Sequence, residues 1–238
     1  MNKVTRGQLN EAIAAQAHMD LTFTVHAKRI TGYRQQGLAL LEGCNPWWFL
    51  RAYREQSLSA LTYGYDLPAD FSRIDGDSLG YGENQLTFFT EVEEIDRQLG
   101  PTWKRSTHAG GTPEFATLFG GQLWLGPKPN AAFVNSYPVL DYYYYTVIDL
   151  ENSTSDAASA TNDTYELQMP TWMLPFAVRA AGIVSLQARD DPTWRSLLQQ
   201  FYERDVMEMR AFDPIIKSNE PIHRPLFQMR GRRRLGAY

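Results

Sequence analysis

Cysteine is almost absent: Cys44 is the only one among 238 residues. A disulfide framework and a cysteine-based zinc site are therefore excluded, and folding in a reducing cytoplasm is expected. Long apolar runs are missing as well, since no stretch approaches the roughly 20 apolar residues that span a bilayer. The N-terminus, MNKVTRGQLNEAIAAQ, has no apolar core of a secretory signal. The four histidines, His18, His26, His108 and His223, are scattered, and none has a partner at metal-ligand spacing. Asp75 and Asp77 lack the spaced oxygens and distal glutamate of a calcium loop. There is no GxSxG, no phosphate-binding glycine loop and no complete GxGxxG. Cys44 has no local histidine. These absences point away from an enzyme, a metal and a cofactor.

What is present is a chain with 43% hydrophobic and 13% aromatic residues, enough for a substantial core. The net charge is −4, unevenly placed. Lys217 to Tyr238 holds six Lys/Arg and one Glu, a balance of +5, so the preceding part carries −9. An acidic body with a basic C-terminal stretch suggests a tail that meets an acidic partner, protein or nucleic acid.

Local patterns divide the chain. Thr5 with Gln8 is a capping box that opens a helix to about Met19, with Leu9, Ile13, Ala14 and Ala17 on one face. Asp20 and Thr22 offer a second start. Phe23, Ala27, Ile30, Gly37, Leu38 and Leu41 keep a helical period to about Glu42, where Gly43 and Asn45-Pro46 stop it. The pattern then predicts strands at Trp47–Gln56 and Ala60–Leu67, a strand at Leu86–Phe89, and a short helix from Thr90-Glu91 to Leu99 whose acidic residues form a wet face. Leu123-Trp124-Leu125 reads as a strand. Pro138–Leu150 is the strongest strand, with Leu140, Tyr142, Tyr144 and Ile148 on one side and Val139, Tyr143, Tyr145 and Val147 on the other. Both faces are apolar or aromatic, so it is central in a sheet or covered by a neighbouring subunit.

Residues 151–163 are Ser/Thr/Ala/Asp-rich and aperiodic, which predicts a loop. A helix follows from Thr171 or Leu174 to about Arg189, with Phe176, Ala180, Ile183, Val184 and Gln187 inward and small residues at 177 and 180–182 for close packing. Asp191-Pro192 starts another, with a stripe of Trp194, Leu197, Leu198, Phe201, Tyr202, Val206 and Met209 that ends at Asp213-Pro214. The expected class is α+β. Residues 5–44 and 165–213 form an antiparallel helix bundle, 45–164 a β-rich insert, and 214–238 an extended basic tail.

One stretch is more specific. A helix, then Trp47-Trp48, then Tyr65-Asp66-Leu67-Pro68-Ala69-Asp70-Phe71 resembles the head-to-tail adaptor proteins of tailed bacteriophages. The order of the Gly121–Leu125 strand, the tyrosine-rich strand and the Thr171–Phe212 hairpin fits the same resemblance, over about residues 20–212. Residues Leu99–Ala116 and 151–163 match no pattern. The resemblance implies a structural virion protein folded in the host cytoplasm. It implies a ring, usually of twelve copies, beneath the portal, which extends the DNA channel without reading sequence and offers a platform to the tail or nozzle. It also implies a C-terminal segment that reaches the portal, here Pro221, Arg224, Phe227, Arg230, Arg232, Arg233, Arg234 and Tyr238. Trp47, Trp48, Tyr65, Trp124, Tyr142, Tyr144 and Trp194 are expected in core or subunit packing. Two rival readings remain: a nucleic-acid-binding module using Arg230–Arg234, and a carbohydrate-binding tail component using the Tyr142–Tyr145 strand as a stacking platform.

Overall fold

The computed structural model describes residues 3–105, 110–149 and 164–212. In chain order these form β1 (Lys3–Thr5), α1 (Arg6–Ala17), α2 (Thr24–Cys44), β2 (Arg51–Ser57), β3 (Gly64–Asp66), β4 (Phe71–Ile74), β5 (Gly80–Tyr81), β6 (Asn84–Gln85), β7 (Thr87–Phe89) and α3 (Val92–Leu99). Then come β8 (Phe115–Phe119), β9 (Gln122–Gly126), α4 (Ala131–Ser136), β10 (Val139–Thr146), β11 (Glu166–Pro170), α5 (Leu174–Gln187), α6 (Trp194–Gln200), a π turn (Phe201–Asp205) and α7 (Val206–Ala211). The class is mixed α+β. Two compact units emerge. The first joins residues up to Leu50 with those from Val147 onward, and the second is Arg51–Thr146.

In the first unit, α1 begins with the full capping box. Thr5 Oγ1 accepts from Gln8 N at 3.2 Å, and Gln8 Oε1 accepts from Thr5 N at 3.0 Å. Two orphan amides at the helix start are thereby satisfied. Leu9, Ile13, Ala14 and Ala17 are all buried. Helix α1 packs on α2 and α5, and α2 packs on α5. The α2–α5 approach is very close: a Cβ at Gly37 would stand 2.7 Å from Ala181 N and 2.9 Å from its Cα. Only glycine leaves room for the facing backbone there. β1 pairs antiparallel with β11; β1 is only three residues long, and the alternation of Glu166, Leu167, Gln168 and Met169 is the sequence mark of the pair.

A set of charged groups lies inside this unit. Asp149 is almost wholly buried between two guanidiniums, with Arg6 Nε donating to Oδ1 at 3.0 Å and Arg34 Nε 3.0 Å from Oδ2. Arg34 also donates to Asn10 Oδ1 at 2.8 Å, and Arg6 lies 4.2 Å over the Tyr165 ring. The Glu42 carboxylate accepts the Ile148 amide. Residues from α1 and α2 thus meet at one carboxylate, and Tyr165 packs on one of its arginines.

The second unit holds two sheets. In one, the order is β2-β10-β5-β6, and β4 also pairs with β10. β10 is therefore interior, with β2 antiparallel on one side and β4 and β5 on the other. The other sheet runs β3-β9-β8-β7, with β7 and β8 parallel. Tyr65, Leu79, Tyr81, Leu123, Leu125 and Tyr142 are among the residues that build the main core. A smaller core of Val92, Ile95 and Trp103 receives Trp124 and Phe115. The β9 alternation explains both, since Leu123 and Leu125 face the first core and Trp124 faces α3.

Several expectations need correction. Trp47–Leu50 is not a strand: Trp47 turns back so that its indole Nε1 donates to Leu41 O at 2.9 Å, satisfying a carbonyl at the end of α2. β2 begins only at Arg51, and of Ala60–Leu67 only Gly64–Asp66 is strand. Tyr65 explains the irregular part, because its hydroxyl donates to Thr62 O at 3.1 Å and holds a loop. Phe23 sits at the exposed start of α2, not on its inner face. Asp20 spends its carboxylate on Thr22 N and Oγ1, both at 2.8 Å, and so caps a turn instead of a helix. Asp191 does the same with Thr193, and α6 begins later than Pro192. Phe176 is half-buried and Gln187 exposed, so neither belongs to the α5 interior. α3 starts at Val92 without a side-chain cap. Residues 150–163, with the loop expected at 151–163, and the residues from Asp213 onward lie outside the described residues.

Two outcomes follow from the first unit. Asp149→Ala removes the carboxylate shared by two buried arginines, and equilibrium unfolding should show a loss of about 3–5 kcal/mol. Gly37→Leu drives side-chain carbon into the Ala181 backbone, and the same assay should show a loss of about 1–3 kcal/mol, whereas Gly32→Leu, with open space at its Cβ, should stay within about 1 kcal/mol.

Candidate interaction surfaces

The residues singled out for packing occupy different environments. Trp47, Tyr65, Tyr142 and Tyr144 are buried, and Trp48, Trp124 and Trp194 are partly buried. Pro221, Arg224, Phe227, Arg230, Arg232, Arg233, Arg234 and Tyr238 lie outside the described residues. The tyrosine run of β10 splits by strand alternation. Tyr142 and Tyr144 enter the main core. Tyr143 and Tyr145 stand on the opposite face. A stacking platform for sugars thus loses two of its four rings to packing.

That opposite face is ordered by charge. Arg51 lies 4.1 Å over Tyr143 and pairs with Asp75 at 2.9 Å, while Arg73 lies 4.7 Å over Tyr145. Tyr53, directly across from Tyr143, donates its hydroxyl to Asp141 at 2.7 Å. Tyr53 is 51% exposed and Tyr143 40%. The Asp141 carboxylate beside the Tyr53 hydroxyl pushes its ionisation up. The result is a level, pre-ordered surface of tyrosine and arginine, the residue types enriched where proteins meet. Its sequence signal was the alternation Arg51, Tyr53, Glu55 in β2, which the apolar pattern alone does not pick out.

The first unit carries an aromatic row that leads outward. Trp47 stacks on Phe49 at 6.2 Å, Phe49 meets Trp172 edge-on at 6.5 Å, and Trp172 meets Phe212 at 5.4 Å. The row ends in a groove of about 420 Å³, floored by Trp172, Pro175, Phe176 and Phe212. On its polar side Arg179 donates to both oxygens of Asp205, at 2.7 and 2.6 Å, and Arg204 Nε reaches Oδ1 at 3.0 Å. Asp205 is buried by the π turn, which widens the helix by one residue and turns this carboxylate towards α5. Nothing in the sequence marks these residues as a site, because each reads as part of an ordinary amphipathic helix.

Among the described residues no group of three or more His, Cys, Asp or Glu is placed to hold a metal. Cys44 is buried, donates to Leu40 O at 3.0 Å, and burial pushes its thiol up to about 12, the opposite of an activated nucleophile. Among the described residues, no helix is long and apolar enough to cross a membrane.

The tyrosine split has a pH consequence. Burial, then the neighbouring Asp70 carboxylate, raises Tyr144 from 10.0 to about 12. A raised phenol favours the folded state while it stays protonated, so its contribution is complete below about 10 and is lost as pH climbs towards 12. Ultraviolet titration should show one late-ionising phenol fewer in Tyr144→Phe, because Tyr53, Tyr65, Tyr81 and Tyr142 are raised as well, and unfolding curves of that variant should lose part of the alkaline slope. An unchanged number of late-ionising phenols contradicts the assignment.

No curated protein matches the sequence. The family model of SU10 adaptor proteins matches residues 11–222, which takes in α2, both sheets, the aromatic row and the C-terminal helices. With most of its length matched, the chain belongs to the SU10 adaptor protein family, a family of phage head-to-tail adaptors.

Proposed function

We propose that this chain is the repeating subunit of a collar between phage head and tail, and that it acts by shape and contact. The single observation that carries the reading is the family match over residues 11–222. In this reading twelve copies form a ring under the portal, continue its DNA channel and give the tail or nozzle its platform. The terminal helical regions, 5–44 and 165–213, act as one antiparallel bundle, and 45–164 acts as the β-rich insert. The tyrosine–arginine face of β2 and β10 supports a contact role, since its side chains are held in place before any partner arrives and lose little entropy on binding.

The basic stretch supplies the contact with the portal. Arg224, Arg230, Arg232, Arg233 and Arg234 suit bidentate pairing with carboxylates on that partner. The acidic remainder of the chain, at −9, suits a channel through which DNA slides, because a negative wall repels phosphate where a basic wall binds it. DNA would then pass without sequence-specific contact.

Removal of residues 221–238 tests the contact. Co-sedimentation with purified portal rings should fall by at least about tenfold, the equivalent of about 1.4 kcal/mol. The binding should weaken with salt, as exposed ion pairs do. Unchanged portal binding removes the basis of the assignment, and tight salt-dependent binding of free DNA by the full chain favours a nucleic-acid-binding module instead.

A further inference from the structure

The groove beside α5 has an unusual wall. Phe212 is 58% exposed although its ring stacks on Trp172. It is also the last described residue. The chain continues as Asp213-Pro214-Ile215-Ile216 before the basic stretch begins at Lys217. A proline has no amide to continue a helix and disfavours helical conformation in the residue before it, and Pro214 stands two residues beyond Phe212. α7 ends at Ala211 with Phe212 as its C-cap, and Phe212 lines the groove itself. Three further residues reach about 10 Å when extended, far enough to cross a groove of about 420 Å³.

We propose that the groove floored by Trp172, Pro175, Phe176 and Phe212 is the seat of Ile215 and Ile216 of the same chain. The chemistry agrees on both sides. The floor is aromatic and apolar, and the two isoleucines are the first large apolar residues after Phe212. Seating them removes apolar surface from water on both sides, which is favourable. On the rim, Arg179 and Arg204 converge on the buried Asp205. Arg204 is 64% exposed at its side chain, and Glu208 on the same rim leaves the whole edge close to neutral. Seating the isoleucines fixes where the arginine stretch departs from the helices. That consequence, and only that, rests on the portal reading above.

Disulfide trapping in the full chain tests the seat. Pro175→Cys with Ile216→Cys, and independently Phe176→Cys with Ile215→Cys, place a thiol on each side. Met207→Cys with Ile216→Cys is the control: Met207 is exposed on the same helix and does not line the groove. Cys44 is buried and does not compete. The chain beyond Phe212 is the tether in the test and control pairs alike, so a rate difference reports where the isoleucines sit. Both groove pairs should close within single chains about tenfold faster than the control. Equal rates overturn the inference. Cross-linked dimers in place of closed monomers also overturn it, because they assign the groove to a second copy. Loss of portal binding on removing 221–238 leaves this result unaffected, and failed trapping leaves portal binding unaffected, so the two readings fail separately.

Discussion

The first unit depends on one buried carboxylate. Asp149 joins Arg6 at the start of α1 to Arg34 inside α2, and Arg6 in turn stacks on Tyr165 where the chain resumes after the loop. Two charges of one sign can be kept away from water in a helix interface only when a counter-charge is fixed between them. That requirement makes the N-terminal helices and the chain re-entering after β10 mutually dependent. Glu42 adds to it by taking the Ile148 amide. A chain that leaves this unit at Leu50 and returns at Val147 needs such a fastening, because the interruption is long.

The second unit solves a different problem. β10 carries four tyrosines in succession, and strand geometry sends alternate rings to opposite sides. Tyr142 and Tyr144 help to fill the core, while Tyr143 and Tyr145 receive arginines over their faces. The outer rings thus remain partly wet without forming a greasy patch. A surface of this kind can meet another protein repeatedly and stay soluble between encounters, which suits a subunit that functions by contact.

Much of the fold was readable where chemistry is local. The Thr5–Gln8 box starts α1, Asn45-Pro46 ends α2, and the apolar periods of α1 and α5 mark most of their buried faces. Long-range constraints were not readable. Asp149 is one acid beside a polar loop, and nothing nearby reveals that Arg6 and Arg34 converge on it. Trp47-Trp48 looks like strand, but the helix end needs a donor and the Trp47 indole supplies it. The stripe after Trp194 hides a π turn, since a one-residue widening disturbs an apolar period very little. β1 has three residues, too few for alternation to show, whereas Glu166–Met169 in β11 does alternate polar and apolar just before a helical turn. The candidate surfaces were legible only in part, because exposed tyrosines and arginines become a surface through pairing across strands. The resemblance to head-to-tail adaptors rested on short motifs in the right order, and it identified the family that the match over 11–222 shows.

The central claim is that many copies of this chain assemble by contact around a portal ring. Native mass spectrometry of the chain mixed with purified portal measures that stoichiometry directly. The account predicts a discrete complex heavier than the bare portal ring by twelve subunits. Bare portal rings beside free subunits, at concentrations where virion components assemble, contradict it.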